Sequence, residues 1–304
     1  MLIQLQNSEL EMLKGIYTAI ITPFKNNIID IEAFENIIEH QIKGGVSGIV
    51  PCGTTGESPT LNHDEHKFVI AKAIEYANGR IKIIAGTGSN STQESIELTK
   101  SAEELGADAA LLVTPYYNKP TQEGIYQHYK KIHDETNIPL ILYNIPGRSI
   151  IDIHNDTLER LFKLDRIIGI KDATGDLNRP IELNKIVAKE IAHFSGEDDN
   201  ALDFYRIGGN GLISVTSNLF PDIVSKIFNL CSQGKFEEAT ELQTKLKKVN
   251  KELFCETNPI PIKFAMSEFG FCSDEIRLPL TLPASESQKK IIGATKELLA
   301  TINE

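Results

Sequence analysis

Three apolar runs decide how the fold is read: Ala109–Val113 (AALLV), Leu140–Tyr143 (LILY) and Ile167–Lys171 (IIGIK). Each is short and apolar at consecutive positions. That is the pattern of a strand covered on both faces, as in a parallel sheet packed between helices. A longer amphipathic stretch separates each run from the next, so each run and its successor read as one strand–helix unit.

The same unit recurs outward in both directions. Toward the N-terminus lie Ile81–Ala85 (IKIIA), Gly48–Pro51 and Tyr17–Ile21 (YTAII); toward the C-terminus lie Ala192–Ser195 and Leu212–Val215. Helical spacing is clear in Ile31–Lys43, with apolar Ile31, Phe34, Ile37, Ile38 and Ile42 and a Gly44-Gly45 exit. Asp64–Ala77 stops at Asn78-Gly79, and Thr92–Leu105 stops at Gly106 after the polar start Asn90-Ser91-Thr92. Eight runs in series predict an α/β chain closed into a (β/α)8 TIM barrel. A doubly wound open sheet shares the periodicity, but no GxGxxG follows the first run. Beyond about residue 220 only helical patterns remain: Phe220–Gln233, Phe236–Leu253, Pro261–Glu268 and Ser287–Ile302. The expected organisation is an N-terminal extension over 1–13, a barrel over 14–234 and an additional C-terminal helical region over 235–304.

Composition sets limits on partners. The chain has 304 residues, 41% hydrophobic and 24% charged, with a formal net charge of −11. An acidic surface argues against nucleic acid or an anionic membrane as partner. No apolar run has the length of a membrane span, and MLIQLQNSEL lacks the basic start of a signal peptide. Cys52, Cys231, Cys255 and Cys272 are widely spaced, which suits a reduced interior and predicts a cytoplasmic protein.

In such a barrel, functional groups sit where strands end. Lys171 closes IIGIK. Burial there disfavours an ammonium and favours a neutral amine able to attack a carbonyl; an ion pair with Asp172 or Glu197 is the competing reading. Tyr143 ends the preceding run and is suited to proton transfer or to core packing. Arg148, in NIPGRS, suits a carboxylate or a surface ion pair. The second run exits into GTTGES (53–58), whose glycines and paired Thr54 and Thr55 form an anion cradle without the GK[ST] of a nucleotide loop. Tyr116 and Tyr117 follow the fourth run, and GGNGLISV brings backbone near a ligand at the eighth. His63 and His66 stand three apart, with no third ligand nearby in sequence, so a metal is not expected there.

Together GTTGES, GTGSNST, TPYYNKP, ILYNIPGRS, IIGIKDATGD and NPIPIK resemble the motifs of the dihydrodipicolinate synthase (4-hydroxy-tetrahydrodipicolinate synthase) family of pyruvate-dependent Schiff-base aldolases, in order and over nearly the whole chain. The resemblance implies a lyase in which Lys171 forms a Schiff base with pyruvate, with no metal or organic cofactor. It implies a proton relay of Tyr143, Thr55 and, from a neighbouring subunit, Tyr117. Thr54 and Thr55 would hold the pyruvate carboxylate, Arg148 that of L-aspartate-4-semialdehyde, and Ile213 would line the site through its backbone. The product would feed the diaminopimelate route to lysine. Free L-lysine would inhibit at Ser58, His63, His66, Asn90, Glu94 and Tyr116, in a homotetramer built as a dimer of dimers. A neuraminate or keto-deoxy sugar acid lyase of the same fold is the alternative, which Thr54 and Arg148 disfavour; a non-catalytic ligand-binding barrel is the remote one. Three positions depart from the family pattern. Gly147 replaces a common serine and predicts a more flexible loop, Glu197 replaces an aspartate, and Pro59 replaces an alanine.

Overall fold

The structure is a computed structural model, and it describes residues 13–302. The extension expected over 1–13 therefore lies outside the described residues, apart from Leu13.

Eight parallel strands close into a barrel in sequence order. They are β1 Gly15–Thr18, β2 Gly48–Ile49, β3 Lys82–Gly86, β4 Ala109–Val113, β5 Leu140–Asn144, β6 Ile167–Asp172, β7 Ala192–Ser195 and β8 Gly211–Ser214. Around them run α1 Ile31–Lys43, α2 His63–Ala77, α3 Thr92–Leu105, α4 Gln122–Glu135, α5 Asn155–Leu161, α6 Asn178–Ile186, α7 Ala201–Arg206 and α8 Pro221–Ser232. The C-terminal helices α9 Phe236–Leu253, α10 Ile260–Glu268 and α11 Ser285–Ile302 complete the chain.

Local chemistry sets the helix ends. The Asp30 side chain accepts from the Ala33 amide to start α1, and Ser91 accepts from the Glu94 amide to start α3. Asn62 and Glu65 form a reciprocal capping box on α2, so that helix begins at His63, one residue before the sequence pattern placed it. Gly106 ends α3 in the left-handed conformation that costs glycine nothing.

Strand boundaries move more. The first ladder runs over Gly15–Thr18 rather than Tyr17–Ile21, and the eighth over Gly211–Ser214 rather than Leu212–Val215. The two meet where Gly15 faces Gly211, and a Cβ on Gly211 would lie 2.0 Å from the Gly15 carbonyl oxygen. Bare backbone is needed there, so the strands begin at glycines that carry no hydrophobic signal. A hairpin of Phe24–Lys25 and Ile28–Ile29, too short for any periodic pattern, was not anticipated.

Two apolar layers result. Tyr17, Ile84, Leu111, Ile141, Phe194 and Ile213 are among the side chains that fill the barrel interior. The opposite strand faces pack on the helices, as Leu140, Leu142, Ile167 and Ile170 do with Tyr129, Leu158 and Leu183.

One irregularity interrupts the β5–β6 ladder. Leu140 pairs with Ile167, but Ile141 pairs with Gly169, so Ile168 is an extra residue on β6. Side chains alternate between faces with period two, and one added residue exchanges the faces from that point on. Ile167 packs outward on the helices, and strict alternation would send residue 171 outward too. The bulge turns Lys171 inward, in register with Tyr143.

Candidate active site

Lys171 is 6% exposed at the C-terminal end of β6, and its Nζ lies 4.2 Å from the centre of the Tyr143 ring. Asp172, next along the strand, points the other way. It accepts from Asn144 Nδ2 and from Thr174, with Arg179 Nε 3.4 Å away, so it is not the partner of the lysine. Glu197, from the turn after β7, shares the lysine's cavity. Gly196 makes room for the amine: a Cβ there would lie 3.1 Å from Lys171 Cε and 2.7 Å from Ala173 Cβ.

Lys171, Tyr143, Thr54, Thr55, Arg148 and Glu197 line one enclosed cavity of about 60 Å³ at the barrel mouth. A wider cavity of about 310 Å³ adjoins it, lined by Ser58, Pro59 and Tyr116 among others. Thr54, Ile145, Arg148 and Asn258 line both. Ile213 belongs to the packed barrel interior beneath.

The two threonines are placed differently. Thr55 is buried, and its Oγ1 accepts from Asn258 Nδ2 at 3.0 Å. Thr54 is half-buried and faces both cavities. The amides of Gly56, Glu57 and Ser58 bond back to the Gly53 and Thr54 carbonyls, which tightens the turn.

Arg148 follows β5 closely. Pro146–Ser149 forms one helical turn, Ser149 Oγ donates to the Ile145 carbonyl at 3.0 Å, and Arg148 Nη2 donates to the Asn258 carbonyl at 2.7 Å. Gly147 lies within that turn, with open space where a Cβ would stand.

Sequence reasoning assigned no role to two residues of NPIPIK that help build this site. Asn258 bridges Thr55 and Arg148, as described. Lys263, on α10, forms a fully buried ion pair with Glu57 of GTTGES. Glu57 also accepts from the Arg277 amide at 3.0 Å, and Arg277 forks onto Glu65 at 2.6 and 2.8 Å. The Lys263 Nζ and the Arg277 guanidinium lie 4.0 and 4.1 Å from the centre of the Phe24 ring. Burial pushes the Lys263 ammonium below the usual lysine range, with the Glu57 carboxylate opposing. Glu57 itself holds a left-handed backbone, φ 56°, where a residue with a side chain is strained. The pair anchors the anion cradle to the C-terminal helices.

A polar cluster lies on the outer side. His63 Nε2 is 2.8 Å from Glu94, which also accepts from Ser89 Oγ. These bonds hold the Glu94 carboxyl below its ordinary range, with Ser89 contributing most. Asn90 Nδ2 donates to the Tyr116 carbonyl at 3.1 Å. Burial, helped by the Glu94 charge, raises the Tyr116 phenol. His66 is turned inward from this cluster, with Nε2 2.8 Å from the Gly86 carbonyl oxygen, and burial lowers its ring below the usual histidine range. Tyr117 is 88% exposed with φ 71° and lies outside the lining of either cavity.

Comparison with known proteins gives the same direction. The sequence profile of the dihydrodipicolinate synthetase family matches residues 12–298. A 4-hydroxy-tetrahydrodipicolinate synthase of Pelagibacter ubique is 51% identical over 96% of this chain and 99% of its own. Among solved structures, the chloride-inhibited dihydrodipicolinate synthase of Acinetobacter baumannii complexed with pyruvate is 47% identical, with a TM-score of 0.92 over 94% of this chain and 99% of that one. The enzyme from Cyanidioschyzon merolae with lysine bound is 33% identical, with a TM-score of 0.91 over 94% and 98%. A match that spans the barrel and the C-terminal helices together places the whole described chain in one lineage: it belongs to the dihydrodipicolinate synthetase family.

Proposed function

We infer that this chain is a lyase that condenses pyruvate with L-aspartate-4-semialdehyde to 4-hydroxy-tetrahydrodipicolinate, in the diaminopimelate route to L-lysine. The observation that carries the reading is the buried Lys171 amine beside the Tyr143 ring, in one cavity with Arg148 and the GTTGES turn.

The chemistry follows from those groups. The Lys171 amine attacks the pyruvate ketone, and loss of water gives a protonated imine. The imine is an electron sink, so the methyl group loses a proton and the resulting enamine carbon attacks the aldehyde. Lysine itself supplies the sink, so the proposal needs no metal or organic cofactor. Tyr143, whose ring centre lies 4.2 Å from Nζ, moves protons in these steps, with Thr55 and Tyr117 completing the relay. Thr55 Oγ1 receives a bond from Asn258, and Thr54 lines both cavities; we assign the pyruvate carboxylate to Thr54 together with Thr55. Arg148, with Nη2 held by the Asn258 carbonyl, takes the carboxylate of the semialdehyde. Ile213 supports the cavity floor from the packed interior.

Tyr117 stands on the outside of its own chain, which supports a role across a subunit interface. The proposed assembly is a homotetramer, a dimer of dimers, in which each Tyr117 completes its neighbour's site. The cluster of His63, Glu94, Asn90 and Tyr116, with Ser58 nearby and His66 behind it, is assigned to L-lysine as feedback inhibitor; Glu94 suits the ligand's ammonium. No described helix is long and apolar enough to cross a membrane, which is consistent with a cytoplasmic location.

Borohydride reduction in the presence of pyruvate tests the central step. The expected result is a mass increase on Lys171 alone, absent in Lys171→Ala. An adduct on another lysine, or none, overturns the reading. The coupled synthase assay with and without L-lysine tests the substrate and its regulation together.

A further inference from the structure

The second substrate of the proposed reaction carries three groups that the site must manage: a carboxylate, an aldehyde and, one carbon from the carboxylate, an α-ammonium. Arg148 accounts for the first and the enamine for the second. The ammonium needs acceptors, and the cavity holds two that carry no hydrogen bond from the described residues.

One is Glu197, the single carboxylate among the described residues lining the enclosed cavity. Its backbone is fixed: the Glu197 amide donates to Ser195 Oγ at 3.0 Å, and that hydroxyl is tied to Asn200 Oδ1 at 2.7 Å. Burial, with the nearby Asp198 charge, raises its carboxyl above the usual range while Lys171 opposes, so it is a better proton acceptor than an ordinary surface glutamate. The other is Asn258 Oδ1. The residue is 8% exposed, its Nδ2 donates to Thr55 and its carbonyl receives Arg148, yet Oδ1 is buried with no hydrogen-bond partner. A buried acceptor left open is unfavourable unless something fills it. An ammonium adjacent to an Arg148-bound carboxylate would fill it.

We propose that Glu197 and Asn258 Oδ1 together receive the α-ammonium of the semialdehyde, and that Glu197 takes one of its protons when the ring closes. The step balances without redox change. After the carbon–carbon bond has formed, the Glu197 carboxylate accepts a proton from the ammonium. The freed amine attacks the imine carbon, forming a second carbon–nitrogen bond there. A proton passes from the new nitrogen to the Lys171 nitrogen. The bond to Lys171 then breaks as the ring nitrogen's lone pair forms the protonated cyclic imine, which gives its remaining proton to solvent. Lys171 leaves as a neutral amine, and Glu197 returns its proton to solvent as product departs.

The proposal rests on the reaction assigned above and is separable from it. Succinic semialdehyde has the same aldehyde and carboxylate but no amine. The experiment compares wild type with Glu197→Gln, Glu197→Asp and Asn258→Asp in three measurements: borohydride trapping of pyruvate, turnover of aspartate-4-semialdehyde, and pyruvate consumption with succinic semialdehyde. Glu197→Gln is expected to lose on the order of 10²-fold with the amino aldehyde, the typical worth of a general base. Its loss with succinic semialdehyde should be at least roughly tenfold smaller, and Glu197→Asp should recover part of the difference. Asn258→Asp, which keeps an acceptor, should favour the amino aldehyde over its amine-free analogue. Equal losses with both aldehydes, or no loss with either, overturn the proposal. Failure of wild type to trap pyruvate on Lys171 would instead overturn the parent reaction.

Discussion

At the scale of single residues, charge and burial divide the work. Lys171 and Arg148 are the two cations among the described residues of the enclosed cavity, in a chain whose net charge is −11. Lys171 is buried, whereas Arg148 is exposed and held by one carbonyl. Arg148→Ala should therefore raise KM for aspartate-4-semialdehyde about 10- to 100-fold, the range for losing charge-assisted hydrogen bonds. Trapping of pyruvate on Lys171 should change little. Steady-state kinetics with each substrate varied, alongside the trapping yield, checks this; matching losses in both would remove Arg148 from the semialdehyde's carboxylate. These residues were legible in the sequence because each ends an apolar run or follows one closely. Asn258 was not: its partner Thr55 lies 203 positions away, and only the folded chain brings the two together.

At the scale of elements, helices were read more sharply than strands, for a physical reason. Helix ends carry chemistry of their own, as at Asp30, Ser91 and Gly106. Strands buried on both faces have no alternation to mark their limits, so β1 and β8 shifted toward glycines. The NPIPIK segment was read as the start of a helix and as a family motif but was given no role, yet its Lys263 secures the cradle through Glu57. Breaking a buried ion pair from one side leaves an uncompensated charge. Lys263→Met should cost about 3–5 kcal/mol in urea unfolding, and the double variant Glu57→Gln/Lys263→Met should recover much of it. A single variant within about 1 kcal/mol of wild type would show the pair to be dispensable.

The whole molecule responds to acid through its buried histidines. Burial lowers His128 and His193 to about 4, from an ordinary value of 6.5. The unfolded chain takes up these protons near pH 6.5 and the folded chain only near 4, so acid favours unfolding across that window. By pH 5 the loss is about 2 kcal/mol for each ring. Chemical denaturation between pH 7 and 5 should show it, and His193→Gln should flatten the slope; an unchanged slope would exclude that ring as a source. Assembly is testable at the same scale. Tyr117→Phe and Lys171→Ala, each nearly inactive alone, should regain activity on mixed refolding. Random pairing restores about one site in four if Tyr117 serves its neighbour. No recovery would place Tyr117 outside the shared site.

The added residue in β6 has a further meaning. Ile170 and Asp172 now face the helices, while Lys171 faces the barrel. Whether this strand presents an amine or a carboxylate to the mouth is thus a matter of odd or even count from its first residue. Length variation is ordinarily the mildest kind of change in a protein family, because loops absorb it. Within this one strand, a change of one residue in length is a change of chemistry, with no side chain altered.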